Sequence, residues 1–383
     1  MVRNFLEPLI SLLRLRLKAN DSQRGGTSLA RVSLAEYSNS TDNNFNLIRF
    51  LASVAVVLSH SYTVVYGTIE ADPLWGTVRM TMGSVAVDVF FVTSGFLVTR
   101  SLMSRRSVRQ FIRARMLRIF PAQVVAVFLT VAALFFISED HSPMTYFLDF
   151  KSVSYVMKNI SLLTGYWKTL PGVFSENPYG DVVNAALWSL PYELWIYMTL
   201  AALWIASKIF RQSSVTVFKA TITAAAVVGL AAHLSNYYLW FWPSQALRLI
   251  SLFFAGSAFF IFQTKIVMSG KTFLTAVLVL SIGSLRPDTF FVAYHLLIPY
   301  VVLFVAYVPA GRIRLFNRIG DLSYGTYIYS FPIQQAVVAL SEDASVWTVF
   351  WLPLTITLAF AASSWHTIEK RALALKRSQR AGS

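Results

Sequence analysis

Two ionisable side chains stand in the first long apolar segment of the chain, Arg49 near its start and His60 eleven residues further on. In a helix that rises about 1.5 Å per residue, the imidazole lies about 16 Å beyond the guanidinium, near or past the bilayer centre. Ionisable groups at such depth are costly and usually mark proton-transfer or ligand-binding sites. The alternatives are a core histidine bonded to a neighbouring helix and an arginine that extends to the membrane boundary.

Two carboxylates stand in later apolar segments, Asp88 in the outer part of the second and Glu193 just inside the outer end of the fourth. A buried carboxylate needs a partner, which makes Asp88 a candidate site residue. An interfacial aromatic belt explains the tryptophan and tyrosine residues around Glu193 but leaves the carboxylate itself unexplained. The Ser94–Gly95 pair beside Asp88 is explained as well by close helix packing.

Arginines cluster between the second and third apolar segments. Arg113, Arg115 and Arg118 run into the third, where their planar guanidinium groups can bind phosphates. Charge asymmetry across a membrane suffices to explain the arginines that precede them.

Composition sets the class of protein that positions these groups. Of 383 residues, 56% are hydrophobic and 13% charged, whereas a soluble domain is nearer to 25% charged. Cysteine is absent, which excludes disulfides, a thiolate nucleophile and a cysteine-based metal site. No metal or bound cofactor is expected. The sequence therefore predicts an all-α, polytopic membrane protein.

Ten segments approach the length that a bilayer requires: 45–66, 84–103, 119–138, 185–206, 215–234, 244–263, 272–286, 289–309, 319–340 and 346–367. With the N-terminus inside, the cytoplasmic connections carry 19 basic residues and one acidic residue, while the opposite connections carry ten acidic and four basic. The positive-inside rule then places both termini in the cytoplasm. The net charge of +15 needs no nucleic-acid partner.

Three regions follow from this division: a tail at 1–44, a membrane domain at 45–370 and a basic tail at 371–383. Residues 5–19 can form a short amphipathic helix on the membrane surface. The connection 139–184 is long, aromatic and acidic, and loops of that length are often functional. Two late motifs have plain interpretations: 319–332 as helix packing and 365–370 as a polar interfacial end.

The motifs resemble, in their joint order, those of the integral-membrane acyltransferase type 3 family, bacterial enzymes that acylate surface polysaccharides, O-antigens, Nod factors and some antibiotics. The resemblance covers about 43–370. It rests on Arg49 and His60, on the runs that begin at Asp88, Arg115, Trp188 and Gly320, and on Glu369. Ser330 stands where many members have a histidine, so no second catalytic histidine is expected there.

The resemblance implies acyl transfer from an acyl-CoA, most simply acetyl-CoA, to a hydroxyl of an extracytoplasmic carbohydrate at a bacterial inner membrane. His60 is then the candidate base and Arg49 the group that orients the donor or stabilises charge. Arg113, Arg115 and Arg118 would bind CoA phosphates. The acceptor would pass Glu193, Asp88 and the loop 139–184.

Two other classes of function remain open at this point. A transporter or flippase for polysaccharide or lipid precursors would also need intramembrane charges. Against it stand the absence of an internal repeat and the concentration of polar groups in the first four segments. An assembly subunit, whose polar groups only join helices, is the third interpretation.

Overall fold

A computed structural model describes residues 32–105, 107–139, 142–240 and 244–375. In that part of the chain the secondary structure is helical, and its one β-type pairing is an isolated bridge between Ser33 and Val267. The all-α class is thus confirmed. The amphipathic helix expected at 5–19 and most of the tail at 371–383 lie outside the described residues.

Ten helices of 14 or more residues lie in the described part of the chain, and each overlaps one predicted segment. They are α1 (Phe45–Tyr66), α2 (Met82–Arg105), α3 (Val108–Leu134), α4 (Leu190–Ser207), α5 (Ser214–Leu239), α6 (Ser244–Ile261), α7 (Gly270–Gly283), α8 (Pro287–Tyr307), α9 (Ser323–Ala339) and α10 (Val346–Ser364). A π-helical turn, Trp365–Glu369, and a last helical turn continue α10.

Six helical runs among the described residues are long and apolar enough to cross a membrane: α1, most of α2, α3, Ala185–Leu239, α8 and Val346–Ala374. The run Ala185–Leu239 holds α4 and α5, which meet at a kink at Arg211 (φ 41°, ψ −104°). The helices α6 and α7 are apolar but shorter. The chain is therefore a multi-pass membrane protein, while ten crossings and cytoplasmic termini stay predictions.

The bundle has two ends with different chemistry. At one end α1 begins, α2 ends and α3 begins, and the cluster of arginines lies there; we call it the basic end. At the other end lie residues 139–184, and we call it the loop end.

The side chain of Ser107 accepts a hydrogen bond from the backbone N–H of Gln110, which starts α3 eleven residues before the predicted segment. Arg113, Arg115 and Arg118 therefore lie on the helix itself.

Glycines bring α2 and α6 into backbone contact. A Cβ at Gly95 would lie 1.9 Å from the carbonyl oxygen of Phe253, and one at Gly256 would lie 2.2 Å from that of Val92. The close helix approach predicted for Gly95 is thus confirmed. Thr99 and Ser257 add a hydrogen bond of 2.9 Å across the same contact.

Replacing Gly95 with alanine is expected to lower the thermal stability of the purified protein, because α2 and α6 must separate to admit the methyl group. Overpacking of this kind costs about 1–3 kcal/mol. Gly270→Ala is the matched control, since a Cβ there meets nothing within 4 Å. Equal unfolding temperatures for the two variants would contradict the close contact.

The loop 139–184 and the residues after it descend into the bundle beside α9. The side chain of Asn177 donates to Gln335 near the end of α9, and that of Asn184 donates to the carbonyl of Ile328. Ser189 then meets the hydroxyl of Tyr327 at 2.8 Å. From Gln335 to Tyr327 the descent is about 12 Å along the helix. As a result, α4 begins well inside the bundle.

Candidate active site

A network of largely buried ion pairs near the basic end, centred on Asp321 and Arg118, joins four elements. Arg49 Nη1 lies 3.1 Å and Arg118 Nη2 lies 2.6 Å from the same carboxylate oxygen, Asp321 Oδ2. Arg118 Nη1 also lies 3.2 Å from Glu369 Oε2. The network links α1, α3, the residue pair before α9 and the extension of α10. Since buried charges are costly unless paired, these groups hold one another in position.

Next to this network is a small cavity of about 40 Å³ that brings Arg49 and Glu193 together. Ser94, Tyr324 and Tyr327 also line it. The carboxylate of Glu193 accepts a hydrogen bond from the hydroxyl of Tyr197. Such a volume holds a few water molecules at most, so the space between Arg49 and Glu193 is narrow. We call this small cavity the constriction.

Glu193 lies in the first turn of α4, as predicted, but that turn lies deep in the bundle and not just inside the outer face. Glu193 shares its cavity with Ser323 and Tyr324, the first two residues of α9, which begins towards the basic end. The physical reason is the descent of residues 177–189 beside α9, which carries the start of α4 into the bundle. The catalytic role of Glu193 stays a prediction.

His60 lines a second cavity, of about 1180 Å³, towards the loop end. Its Nδ1 is buried and has no hydrogen-bond partner, and its ring meets Phe331 edge-on with 4.9 Å between centroids. Val87 and Tyr327 line both cavities, so the large cavity adjoins the constriction at Arg49 and Glu193. Arg49 and Glu193 thus line one cavity, and His60 lines the neighbouring one.

The wall of the large cavity is aromatic and basic. Its aromatic residues are Trp75, Tyr166, Tyr179, Trp188, Tyr192, Trp195, Tyr237, Trp240, Phe291, Tyr327 and Phe331. Burial raises the pKa of Tyr166 to about 12, with Tyr179 and Tyr192 adding to the rise, so this phenol stays a neutral hydrogen-bonding group. The volume exceeds the roughly 300–1,000 Å³ of an ordinary small-molecule pocket. Such a wall suits the flat faces and hydroxyls of a carbohydrate.

Asp88 lies in the second turn of α2 at the loop end, as predicted, but it does not line the cavity. Its side chain is fully buried, with Oδ1 3.3 Å from Arg248 Nε and Oδ2 accepting a 3.0 Å hydrogen bond from Tyr294. Arg248 in turn lines the cavity. Asp88 therefore contacts a residue of the cavity wall without lining the cavity itself, and its role in the site stays a prediction.

The three arginines predicted to bind phosphate have separate environments. Arg113 is exposed. Arg115 is half-buried over the ring of Tyr197, 5.8 Å from its centroid, and its Nε has no hydrogen-bond partner. Arg118 belongs to the ion network and lies over Tyr324. Arg118 is thus held by carboxylates, whereas Arg113 remains open to a ligand.

Sequence reasoning gave no role in the site to five charged or titratable residues from the second half of the chain. Asp321 and Glu369 complete the ion network, and Arg248, His233 and His295 line the large cavity. The argument that polar groups are few after the fourth segment is therefore wrong. Single ionisable residues within apolar stretches, as at His233 and Arg248, were the signal that could have identified them.

Comparison with known proteins follows this geometry. The model of the acyltransferase type 3 family, an acyltransferase domain, matches residues 42–367. The chain is 27% identical over 364 residues to nodulation protein 10 of Rhizobium leguminosarum bv. viciae, covering 90% of this chain and 96% of the relative. It is 25% identical over 352 residues to the O-acetyl transferase of Shigella phage Sf6, covering 86% and 96%.

A shorter match, 29% identical over 155 residues, relates the chain to the acyltransferase MdmB of Streptomyces mycarofaciens, covering 40% of this chain and 36% of the relative. No solved structure matches significantly. The family match spans nearly the whole membrane domain and includes Arg49, His60, Glu193 and Asp321. This chain therefore belongs to the acyltransferase type 3 family and is a membrane acyltransferase.

Proposed function

We propose that the protein transfers an acyl group, most simply acetyl, from acyl-CoA to a hydroxyl of an extracytoplasmic carbohydrate. The observation that carries this proposal is the position of His60, which faces an aromatic-lined cavity of about 1180 Å³ beside the Arg49–Glu193 constriction. The name of the Shigella phage relative, O-acetyl transferase, supports acetyl as the group and oxygen as its acceptor atom. The aromatic wall of the large cavity supports a carbohydrate acceptor.

The proposed chemistry is an exchange of a thioester for an ester. The acceptor hydroxyl attacks the acyl carbon, the carbon–sulfur bond breaks, and the sulfur leaves as a thiol after taking a proton. His60 accepts the hydroxyl proton through a ring nitrogen and passes it towards the leaving thiolate. Arg49, about 16 Å from His60 along the same helix, lies at the constriction and orients the acyl donor there.

We place the donor at the basic end, which we propose to be cytoplasmic because CoA is available there. Arg113 and Arg115 are the arginines best placed to bind its phosphates, since neither belongs to a salt bridge among the described residues. Arg118, tied to Asp321 and Glu369, then positions Arg49 through the carboxylate of Asp321 that both arginines contact. The acceptor, a free or lipid-linked glycan, enters from the loop end of a bacterial inner-membrane protein with ten crossings.

Transfer from labelled acetyl-CoA is expected in inverted membrane vesicles, where the cytoplasmic face is outward, and not in right-side-out vesicles. The reason is that CoA does not cross a lipid bilayer, so only the face that binds it can use it.

The double variant Arg113→Gln/Arg115→Gln should raise the donor KM about tenfold or more, the value of one lost charge-assisted hydrogen bond.

The acceptor KM of that variant should stay near the wild-type value, and Arg312→Gln, an exposed arginine before α9, serves as its control. An equal rise in both KM values would remove the donor assignment. Label that enters glycan only in right-side-out vesicles would reverse the proposed orientation. A glycan that crosses the membrane without taking up label would favour a transporter.

A further inference from the structure

The large cavity is lined by basic side chains and by no acidic one among the described residues, and its two arginines carry positive charge. Two arginines and three histidines contribute to its wall, namely Arg79, Arg248, His60, His233 and His295. Among the described residues that line it there is no aspartate, glutamate or lysine. A wall that carries positive charge and no negative charge favours an anionic ligand over a neutral sugar.

The carboxylates nearest to this wall already have partners. Asp88 accepts from Tyr294, and Asp72 accepts from Ser59 Oγ at 2.5 Å and from two backbone N–H groups. Asp288 accepts from Tyr237 at 2.7 Å. No salt bridge to Arg79, which is exposed, occurs within the described residues.

Arg248 has donors to spare although it lies beside Asp88. Its Nε approaches Asp88 Oδ1 to 3.3 Å without hydrogen-bond geometry, and Nε and Nη2 both lack a hydrogen-bond partner. The residue is 9% exposed and its guanidinium lies over Trp188. Unpaired guanidinium donors that are this buried are costly unless a ligand satisfies them.

A pair of histidines, His233 from α5 and His295 from α8, completes this part of the wall. Their Nε2 atoms lie 3.0 Å apart, and His295 Nδ1 lies 2.8 Å from the carbonyl oxygen of Phe291. That carbonyl can only accept, so His295 Nδ1 carries the proton, its Nε2 accepts, and His233 Nε2 donates. His233 Nδ1 is then buried with a free lone pair, 3% of the residue being exposed, so it can accept a hydrogen bond from a sugar hydroxyl and adds no charge to the wall.

We propose that this cavity recognises its acceptor through an anionic group, a carboxylate or a phosphate, which binds Arg248 and Arg79 beside His233. The proposal rests on the proposed function, because the anion belongs to the molecule that receives the acyl group. A uronic acid in the glycan and the diphosphate of a lipid-linked glycan present the same chemistry to these donors. The aromatic wall then holds the neutral sugars next to His60.

Binding to the full-length protein in lipid nanodiscs, measured without an acyl donor, tests the proposal. Three probes are compared: an oligosaccharide with one glucuronic acid, its carboxyl-reduced neutral counterpart, and that neutral oligosaccharide linked to a polyprenyl diphosphate. One or both anionic probes should bind roughly tenfold to hundredfold more tightly than the neutral one. Preference for the acid identifies a carboxylate, and preference for the lipid-linked form alone identifies the phosphate.

Two variants assign the preference to the wall. Arg79→Asn removes an exposed charge at a residue whose φ of 56° asparagine tolerates, and Asp88→Asn/Arg248→Gln removes the buried pair together. Each should reduce the preference, while Arg312→Gln should leave it unchanged. Equal binding of all three probes to the wild-type protein, or an unchanged preference in both variants, would overturn the proposal. If the protein prefers the anionic probes but transfers no acyl group to any probe once an acyl donor is added, the result counts against the proposed function alone.

Discussion

Replacing His60 with alanine is expected to lower acyl transfer by about 10²–10⁴-fold, the usual contribution of a general base. The cavity position of the imidazole and its unpaired, buried Nδ1 are the reasons. Mass spectrometry of surface glycans from cells with the wild-type gene, a deletion and the His60→Ala allele measures the effect. The acetyl mass increment should be present in the first and absent from the other two, at equal amounts of membrane-inserted protein.

Two further variants separate a base from a packing residue. His60→Gln keeps a polar side chain that can hydrogen-bond but not the basic ring nitrogen, so it should lose activity as alanine does. His366→Ala removes an exposed histidine at the opposite end of the bundle and should leave acetylation intact. Near wild-type acetylation in His60→Gln would show that the imidazole only fills space beside Phe331.

The positions of the helices were predictable from the sequence because an apolar run of bilayer length is a strong local signal. All ten predicted segments overlap a long helix among the described residues. The predicted start of α3 was eleven residues too late, and the cause is also a local feature of the sequence. Its first eleven residues, up to Arg118, are basic and polar enough to lower the hydropathy, yet they are helical from Val108 onwards.

The site was predictable only in part, because its partners are distant in sequence. Nothing near Arg118 indicates that Asp321 and Glu369, more than 200 residues later, lie against it. Glu193 was misplaced because residues 162–184 have no periodic pattern that would show their descent beside α9. A motif order can place residues in one family, but hydrogen bonds such as Asn184 to Ile328 decide their depth.

Replacing Asp321 with asparagine is expected to destabilise the protein by about 3–5 kcal/mol, the usual cost of breaking a buried ion pair. Asp321 is the common partner of Arg49 and Arg118, so its loss leaves two guanidinium groups near the basic end without that carboxylate. Thermal unfolding of the purified protein in detergent measures the effect. Asp42→Asn is the matched control, because Asp42 is largely exposed and its partner Arg314 keeps its hydrogen bonds to the carbonyls of Tyr307 and Pro309.

The same network gives a test that a general loss of fold cannot imitate. Arg118→Gln should be more destabilising than Arg118→Gln combined with Glu369→Gln, because the second change removes the buried carboxylate that the first one leaves unpaired. If the losses in the free energy of unfolding of the two single variants simply add in the double variant, Arg118 and Glu369 do not interact. Below the unfolding temperature, Asp321→Asn should also transfer acyl groups more slowly, since Arg49 is no longer held beside Glu193 at the constriction. If Asp321→Asn has the unfolding temperature and the transfer rate of the wild type, Asp321 neither stabilises the ion network nor positions Arg49.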